Sequence, residues 1–171
     1  MEVNQLARAQ SAGSAVLGSG AAVGTGSLKI QLGAWSKGDF TPDVTDGSAT
    51  FAPGAAPEVS IDITAADDTL AKVAAKINAA NAGVNATVMR DAAGERLLVR
   101  SSATGEESGF RIQAMDDDGN NADGAGLSRL AFDPENGSNG LSLTQSARDT
   151  LATINGVEVK SKNTTFTDAI D

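Results

Sequence analysis

The chain has 171 residues, of which 22 are acidic and 13 basic, giving a formal net charge of −9 at pH 7. An acidic surface disfavours nucleic acid, whose phosphates need a basic partner. Because histidine and cysteine are both missing, disulfides, thiolate metal sites and Ser-His-Asp or Cys-His catalytic sites are excluded. No apolar run is long enough to span a bilayer. We therefore expect neither a nucleic-acid partner nor a membrane partner.

The N-terminal part of the chain is rich in small residues. Residues 11–26 contain mainly serine, alanine and glycine, a composition that predicts a flexible connector. Gly18, Gly20 and Gly24 allow a second interpretation, a nucleotide-binding loop. We favour the connector, because the glycine spacing has one residue too many and no hydrophobic strand leads into it.

A strand and a long arm follow. Residues 27–33 alternate between apolar and polar side chains, which predicts a strand. Residues 34–57 are rich in Gly, Pro and Asp and should form a long loop. Its aromatic residues, Trp35, Phe40 and Phe51, either pin the loop to the sheet or form an exposed contact for a surface or a partner. We favour pinning, since a buried aromatic is the commonest way to order a long loop.

The stretch 58–101 is predicted to form a strand, a helix and a β-hairpin, because its apolar period changes from two to 3.6 and back. The helical part has an apolar stripe at Leu70, Val73, Ala74 and Ile77. We expect this helix to cover about 68–82 and to pack on an antiparallel sheet. The strands at 27–33 and 58–64 are expected to pair as neighbours beside the helix. Asp67 and Asp68 should cap its start, and Gly83 should end it.

The next segment combines a strand with an acidic turn. Residues 109–115 alternate as a strand does. The Asp116, Asp118, Asn120 spacing after it suggests a calcium loop, but an EF-hand loop requires glycine at position six and glutamate at position twelve. Those positions hold Asn121 and Leu127. We therefore favour a solvated acidic turn that binds no metal.

The C-terminal part is predicted to contain a β-hairpin, because Asn155-Gly156 lies between alternating apolar residues.

The distribution of charge divides the chain into regions. Residues 26–144 hold 17 acidic and 9 basic side chains, a net charge of −8, while the flanks hold 5 and 4. We predict an α+β, β-rich fold with two small lobes. An outer lobe (26–144), built of antiparallel strands and one packed helix, is inserted into a mostly β base lobe formed by 1–25 and 145–171, which is truncated.

No motif in the sequence is typical of a catalytic site. Asp67 and Asp68 have a capping role, Glu106 and Glu107 follow a turn, and nothing distinguishes one serine as the partner of a lysine. We therefore expect no catalytic, cofactor-binding or metal-binding residues and no enzymatic activity.

Several stretches resemble the flagellar filament cap proteins, also called hook-associated protein 2. They are VNQLARAQ, GTGSLKIQLG, the run from DDTLAKVAAKINAANAGVNA to LLVRSSATG, GLSRLAFDP and TINGVEVKSKNTTFTDAID. Ile77-Asn78 also resembles a motif found in flagellins and related proteins. The 34–57 arm departs from the pattern, since it is longer than the usual link between those strands.

The resemblance implies that this chain is the head region of a cap protein, without the helical segments (the legs) that carry the head. It also implies a location outside the cell, at the filament tip, after export through the flagellar channel. It implies a homo-oligomeric ring that assembles flagellin, with hook-associated proteins and host surface glycans as further partners, and no cofactor. Other readings stay open: a flagellin or hook-filament junction protein, a secreted adhesin that binds through the aromatic arm, or a carbohydrate-active enzyme with opposed carboxylates about 5–10 Å apart.

Overall fold

The computed structural model describes residues 2–36, 49–137 and 140–165. Within these ranges the chain forms one α-helix, α1 (Leu70–Ala79), and three short 3-10 turns, Glu106–Ser108, Gly126–Leu130 and Pro134–Asn136. The strands are β1 (Glu2–Gln5), β2 (Ser11–Gly13), β3 (Gly26–Trp35), β4 (Phe51–Pro53), β5 (Val59–Ile63), β6 (Val84–Asp91), β7 (Gly94–Ser101), β8 (Gly109–Asp116), β9 (Ser142–Gln145), β10 (Thr150–Ile154) and β11 (Val157–Ser161). The predicted α+β, β-rich class is confirmed.

The strands pair in three antiparallel sheets. In the first, β3 is central: β8 runs along one side of it, and β5 and then β4 pair with the other side. The second sheet has the order β6-β7-β2-β9, and the third has the order β1-β10-β11. The predicted pairing of the strands around residues 30 and 61 is therefore confirmed, with Leu28 opposite Ile61. No helix in the described ranges is long and apolar enough to cross a membrane.

Helix α1 buries the predicted stripe. Leu70, Val73, Ala74 and Ile77 are all buried in the main core, which the helix shares with β5, β6 and β7. The predicted capping was wrong: Thr69 occupies the N-cap position without a side-chain cap hydrogen bond. Asp67 instead pairs with Lys76 Nζ at 2.6 Å. The hydrogen bonds from Lys76 and then Thr64 hold the pKa of the Asp67 carboxyl below its usual range.

The end of α1 also differs from the prediction. The helix stops at Ala79 and Asn81 adopts the left-handed conformation (φ 50°), so the chain turns before Gly83. Gly83 is left-handed as well (φ 75°), and a Cβ at this position would collide with the side chain of Leu32. The glycine is thus required for close packing between the helix–strand connection and β3 rather than for ending the helix.

The predicted connector contains a buried strand. Strand β2 pairs with β7 on one side and β9 on the other, and Ala12 is fully buried between Val99 and Leu143. Its small side chains fit between two larger apolar neighbours, so a composition typical of a linker here serves close packing. The connector prediction was wrong for these residues.

Buried aromatic side chains hold both described ends of the arm at 34–57 against the sheet. Trp35 and Phe51 are buried, with ring centroids 4.8 Å apart. Trp35 also meets Phe132 edge-on at 5.8 Å and donates its Nε1–H to the Phe110 carbonyl oxygen at 3.0 Å. Pinning is confirmed for these two residues, while Phe40 lies outside the described residues.

The third sheet joins the two ends of the described chain. Strands β10 and β11 form the predicted hairpin, and both turn residues, Asn155 (φ 51°) and Gly156 (φ 85°), are left-handed as the Asn-Gly signal requires. Strand β1 pairs with the other side of β10. The buried apolar residues in and near this sheet are small ones such as Ala7 and Ala152, and they lie outside the main core cluster.

Candidate functional surface

The described residues contain no group of three or more His, Cys, Asp or Glu side chains placed to hold a metal ion. Four other features of the described residues bear on what the molecule can contact: the acidic turn after β8, the Ile77-Asn78 pair, the junction of the third sheet with the rest of the molecule, and the apolar row on one face of that sheet.

The carboxylates of the acidic turn accept hydrogen bonds from the backbone. Asp116 is buried, and its Oδ2 accepts from the Ser128 amide at 2.9 Å. Asp118 Oδ1 accepts from the Asn120 amide at 2.8 Å. Hydrogen bonds from the Ala125 amide and then the Ser128 hydroxyl hold the pKa of the Asp123 carboxyl below its usual range. The turn is thus held by its own side chains, and Asp116 is a structural buried residue rather than a solvated one.

The Ile77-Asn78 pair connects the helix to the edge of the second sheet. Ile77 is 1% exposed and belongs to the core. Asn78 points its amide at Ala86: Nδ2 donates to the Ala86 carbonyl at 2.9 Å, and Oδ1 accepts from the Ala86 amide at 2.7 Å. Strand β6 is an outer strand of its sheet, so Asn78 occupies backbone groups that would otherwise be open to another strand. The motif thus fixes the helix to the sheet and covers the sheet edge.

We expect Asn78→Ala to lower the free energy of unfolding by about 1–3 kcal/mol, because it leaves the amide and carbonyl of buried Ala86 without partners. Asn85→Ala is the matched control, since Asn85 is exposed and its side chain donates to the Ser102 hydroxyl. Urea denaturation of the three proteins measures the difference. Equal losses in both variants would contradict the role assigned to Asn78.

A polar junction joins the third sheet to the segment before β8. Asp149 is buried, and its Oδ1 accepts from the Glu106 amide at 2.6 Å. Lys160 Nζ lies 2.6 Å from Glu106 Oε2 and 3.4 Å from Asp149 Oδ2. Lys162 pairs with Glu107, and its carbonyl accepts from the Thr104 hydroxyl. Lysines from the hairpin therefore meet acidic residues from the middle of the chain.

This junction predicts a loss of stability at alkaline pH. The hydrogen bonds that Lys160 donates to Glu106 and Lys162 donates to Glu107 raise the pKa of the two lysines. A raised lysine pKa contributes stability fully below the ordinary value of 10.5, and this contribution is lost as the pH rises through the folded value. Between about pH 10 and 12 we expect the melting temperature to fall more steeply for the wild type than for the Lys160→Gln, Lys162→Gln double variant. Parallel curves would show that the two pairs contribute nothing.

One face of the third sheet carries a row of apolar side chains that is exposed at its ends. Of the five exposed large apolar residues in the described ranges, Val3 and Val157 lie on this sheet and Leu6 directly follows β1. Val3 is opposite Ala152, which in turn is opposite Val159, and Ile154 is opposite Val157. Directly opposed residues share a face, so these side chains form one apolar row, in which Val3 and Val157 are exposed and Ala152 is fully buried. Together with the outer strands β1 and β11, it is a candidate surface for contact with further polypeptide.

The proteins with similar sequences are flagellar proteins. The family described as Flagellin hook IN motif matches residues 43–103. Flagellar hook-associated protein 2 of Escherichia coli K12 is 32% identical over 111 residues, 64% of this chain and 22% of that protein. The B-type flagellar hook-associated protein 2 of Pseudomonas aeruginosa PAO1 is 30% identical over 120 residues, 66% of this chain and 25% of that protein.

Solved structures extend the similarity to nearly the whole chain. The D2-D3 domains of the flagellar cap protein FliD from Escherichia coli match 99% of this chain and 75% of that chain, with a TM-score of 0.75 and 27% identity. The chain is similar to flagellar cap proteins in sequence and in fold. The Serratia marcescens cap protein D2-D3 domains match with a TM-score of 0.73 and 27% identity, covering 99% of this chain and 79% of that chain. The chain spans about a fifth to a quarter of the length of the curated relatives it matches.

Sequence reasoning missed the side chains that hold the elements of this fold together. Gln10 is 1% exposed and bonds both backbone groups of Phe110, with Nε2 to the carbonyl at 3.0 Å and the amide to Oε1 at 3.1 Å. Asn78 likewise bonds both backbone groups of Ala86, and Asp149 accepts a hydrogen bond from the Glu106 amide. Their partners are distant in sequence or depend on the fold, so no local spacing indicates them. Asn78 was singled out only because Ile77-Asn78 resembles a motif of flagellins and related proteins.

Proposed function

We propose that this chain is the head region of a flagellar filament cap subunit. In this proposal the complete protein forms a homo-oligomeric ring at the distal tip of the filament, outside the cell, and promotes the assembly of flagellin. The observation that carries the proposal is the match of 99% of the chain to the D2-D3 domains of the Escherichia coli cap protein. The curated relatives named flagellar hook-associated protein 2 support the same assignment.

Another flagellar axial protein is the second candidate, because the matched family over residues 43–103 is named for flagellin and the hook. That match covers only the middle of the chain, whereas the similarity to cap proteins also includes the third sheet. The cap is therefore the better supported function. An adhesin that uses the aromatic arm is less well supported, since Trp35 and Phe51 are buried.

The two-lobe division is part of the proposal. We place the outer lobe at 26–144 and the base lobe at 1–25 and 145–171. The third sheet supports this arrangement, because it joins both ends of the chain and its alanines lie outside the main core cluster. Strand β2 nevertheless pairs with β7 and β9, so the N-terminal segment contributes to a sheet that consists mostly of outer-lobe residues.

A structural role without enzymatic activity, cofactor or metal is proposed as well. The support is chemical: the chain has no histidine or cysteine, and the carboxylates of the acidic turn accept backbone hydrogen bonds. Hook-associated proteins are proposed as neighbours in the filament on the basis of the relatives' names.

A graft tests the proposal. This chain replaces the matching D2-D3 segment of the Escherichia coli cap protein in a strain that lacks its own cap protein, and filaments are counted by electron microscopy. The Serratia marcescens D2-D3 segment, grafted in the same way, is the matched control. We expect both grafts to restore filaments. A graft of this chain that is exported and folded but restores none, while the control does, would overturn the proposal.

The isolated chain is expected to be mostly monomeric in dilute solution. Its net charge of −9 makes copies repel each other at low salt, and the aromatics that usually anchor tight interfaces are few and, where described, buried. Light scattering after size exclusion at about 5 μM, below typical transient dissociation constants, measures this. Weak association that increases with salt is consistent with screening, whereas a stable closed ring would contradict the expectation.

A further inference from the structure

The turn of the β10–β11 hairpin, Asn155-Gly156, is open to solvent. Both residues are exposed, and both are left-handed. Within the described ranges no hydrogen bond involves the Asn155 side chain, and a Cβ added to Gly156 would meet no atom within 4 Å. Water therefore reaches both the asparagine side chain and the glycine nitrogen that follows it.

The same dipeptide at Asn136-Gly137 is held by its neighbours. Asn136 Nδ2 donates to Asp133 Oδ2 at 2.7 Å, and the Gly137 amide donates to the Pro134 carbonyl at 3.3 Å. Both acceptor residues are buried. A third pair, at 139–140, is described only in part. The two fully described Asn-Gly pairs thus share their chemistry and differ in how firmly the fold holds them.

The hairpin that carries Asn155 is weakly packed. Among the described strands β11 pairs only with β10, and each of its residues is exposed or half-buried. No residue of the hairpin belongs to the main core cluster. Segments with few buried contacts open locally at a lower free energy than the core does. The Asn155 turn can therefore leave its left-handed geometry more often than the turn at Asn136 can open.

We propose that Asn155 is a site of spontaneous deamidation and isoaspartate formation. In the opened turn the Gly156 nitrogen loses its proton to hydroxide and attacks Asn155 Cγ. The new N–Cγ bond closes a succinimide, the Cγ–Nδ2 bond breaks, and Nδ2 leaves as ammonia with a proton from water. A further water molecule then opens the ring. Cleavage at Cγ leaves an ordinary aspartate, and cleavage at the main-chain carbonyl leaves isoaspartate, whose peptide link runs through Cβ and Cγ.

Isoaspartate changes the hairpin because it adds a carbon atom to the backbone of a two-residue turn. The turn geometry sets the register of the hairpin, which pairs Ile154 with Val157 and continues to the end of β11. A lengthened turn no longer matches this register. Lys160, which lies 2.6 Å from Glu106 Oε2, is then displaced, and the junction of the third sheet loosens. The proposal is independent of the assembly function.

Incubation of the folded chain at mildly alkaline pH over several weeks tests the proposal. Trypsin separates the turns into the peptides 130–148 and 149–160, and electron-transfer fragmentation locates isoaspartate. We expect deamidation to be about tenfold faster at Asn155 than at Asn136, the factor that one or two hydrogen bonds supply. In urea, where neither turn persists, the two rates should be similar. Equal rates in the folded chain, or an unmodified Asn155 after the unfolded chain has reacted, would overturn the proposal.

Asn155→Asp is the matched control for the change in the hairpin. Aspartate keeps the turn preference and adds the same charge, but its carboxylate is a poor leaving group at alkaline pH. After incubation, the amides of β11 should exchange with deuterium faster in the wild type, in proportion to its isoaspartate content, and at an unchanged rate in Asn155→Asp. Isoaspartate at position 155 without faster exchange would overturn the proposed change in the hairpin.

Discussion

Ile77→Ala is expected to lower the free energy of unfolding by about 2–5 kcal/mol. Ile77 is 1% exposed and lies with Leu70 and Val73 on the buried stripe of α1. Removing three carbons leaves a cavity that the surrounding alanine-rich helix cannot fill. Such a loss is a large fraction of the stability of a typical small domain, so the variant should melt at a clearly lower temperature in circular dichroism.

Two comparisons separate a cavity effect from a general effect of mutation. Ile77→Val removes a single methylene and should cost about 0.5–1.5 kcal/mol. Ala75→Ser, on the exposed face of the same helix, should cost about 0.5 kcal/mol or less. If the melting curves of Ile77→Ala and the wild type coincide, the buried face of α1 has been assigned incorrectly.

Trp35→Ala should have an effect of similar size, about 3–5 kcal/mol. The indole packs against Phe51 and Phe132 and donates a hydrogen bond to the Phe110 carbonyl. Its removal therefore takes away both a large buried surface and the contact that fixes β4 to the end of β3. Because Trp35 is the only tryptophan in the chain, unfolding should be followed by circular dichroism rather than by fluorescence.

Trp35→Phe distinguishes ring packing from hydrogen bonding. It keeps an aromatic ring against Phe51 but loses the Nε1–H donor, so we expect an intermediate loss, smaller than that of Trp35→Ala. Phe51→Leu tests the other side of the contact and should also destabilise the protein. Wild-type stability in Trp35→Ala would mean that the arm is ordered by residues other than its aromatics.

Local patterns were sufficient for the elements whose partners are near in sequence. The buried stripe of α1, the β6–β7 hairpin and the Asn155-Gly156 turn follow from period and turn chemistry. The pairing of β3 with β5 also followed, because both strands alternate and the arm between them does not.

The features that were missed depend on distant partners. Residues 11–13 are a strand only because β7 and β9 lie on either side of them, about 85 and 130 positions later in the chain. The helix cap was assigned to Asp67 and Asp68, but Lys76, two turns along the helix, attracts the Asp67 carboxylate instead. The contacts of Gln10 with Phe110 and of Asp149 with Glu106 could not be read from the sequence either, because the partners lie 100 and 43 positions apart in the chain.

Electron microscopy with gold-labelled antibodies against this chain tests the central proposal most directly. On flagella of cells that produce the complete protein, the cap assignment predicts gold at the distal ends of filaments and nowhere else along them. Antibodies absorbed with the purified chain provide the control and should leave the ends unlabelled. Gold along the whole filament, as a flagellin would give, or at the boundary of hook and filament, as a junction protein would give, would contradict the assignment.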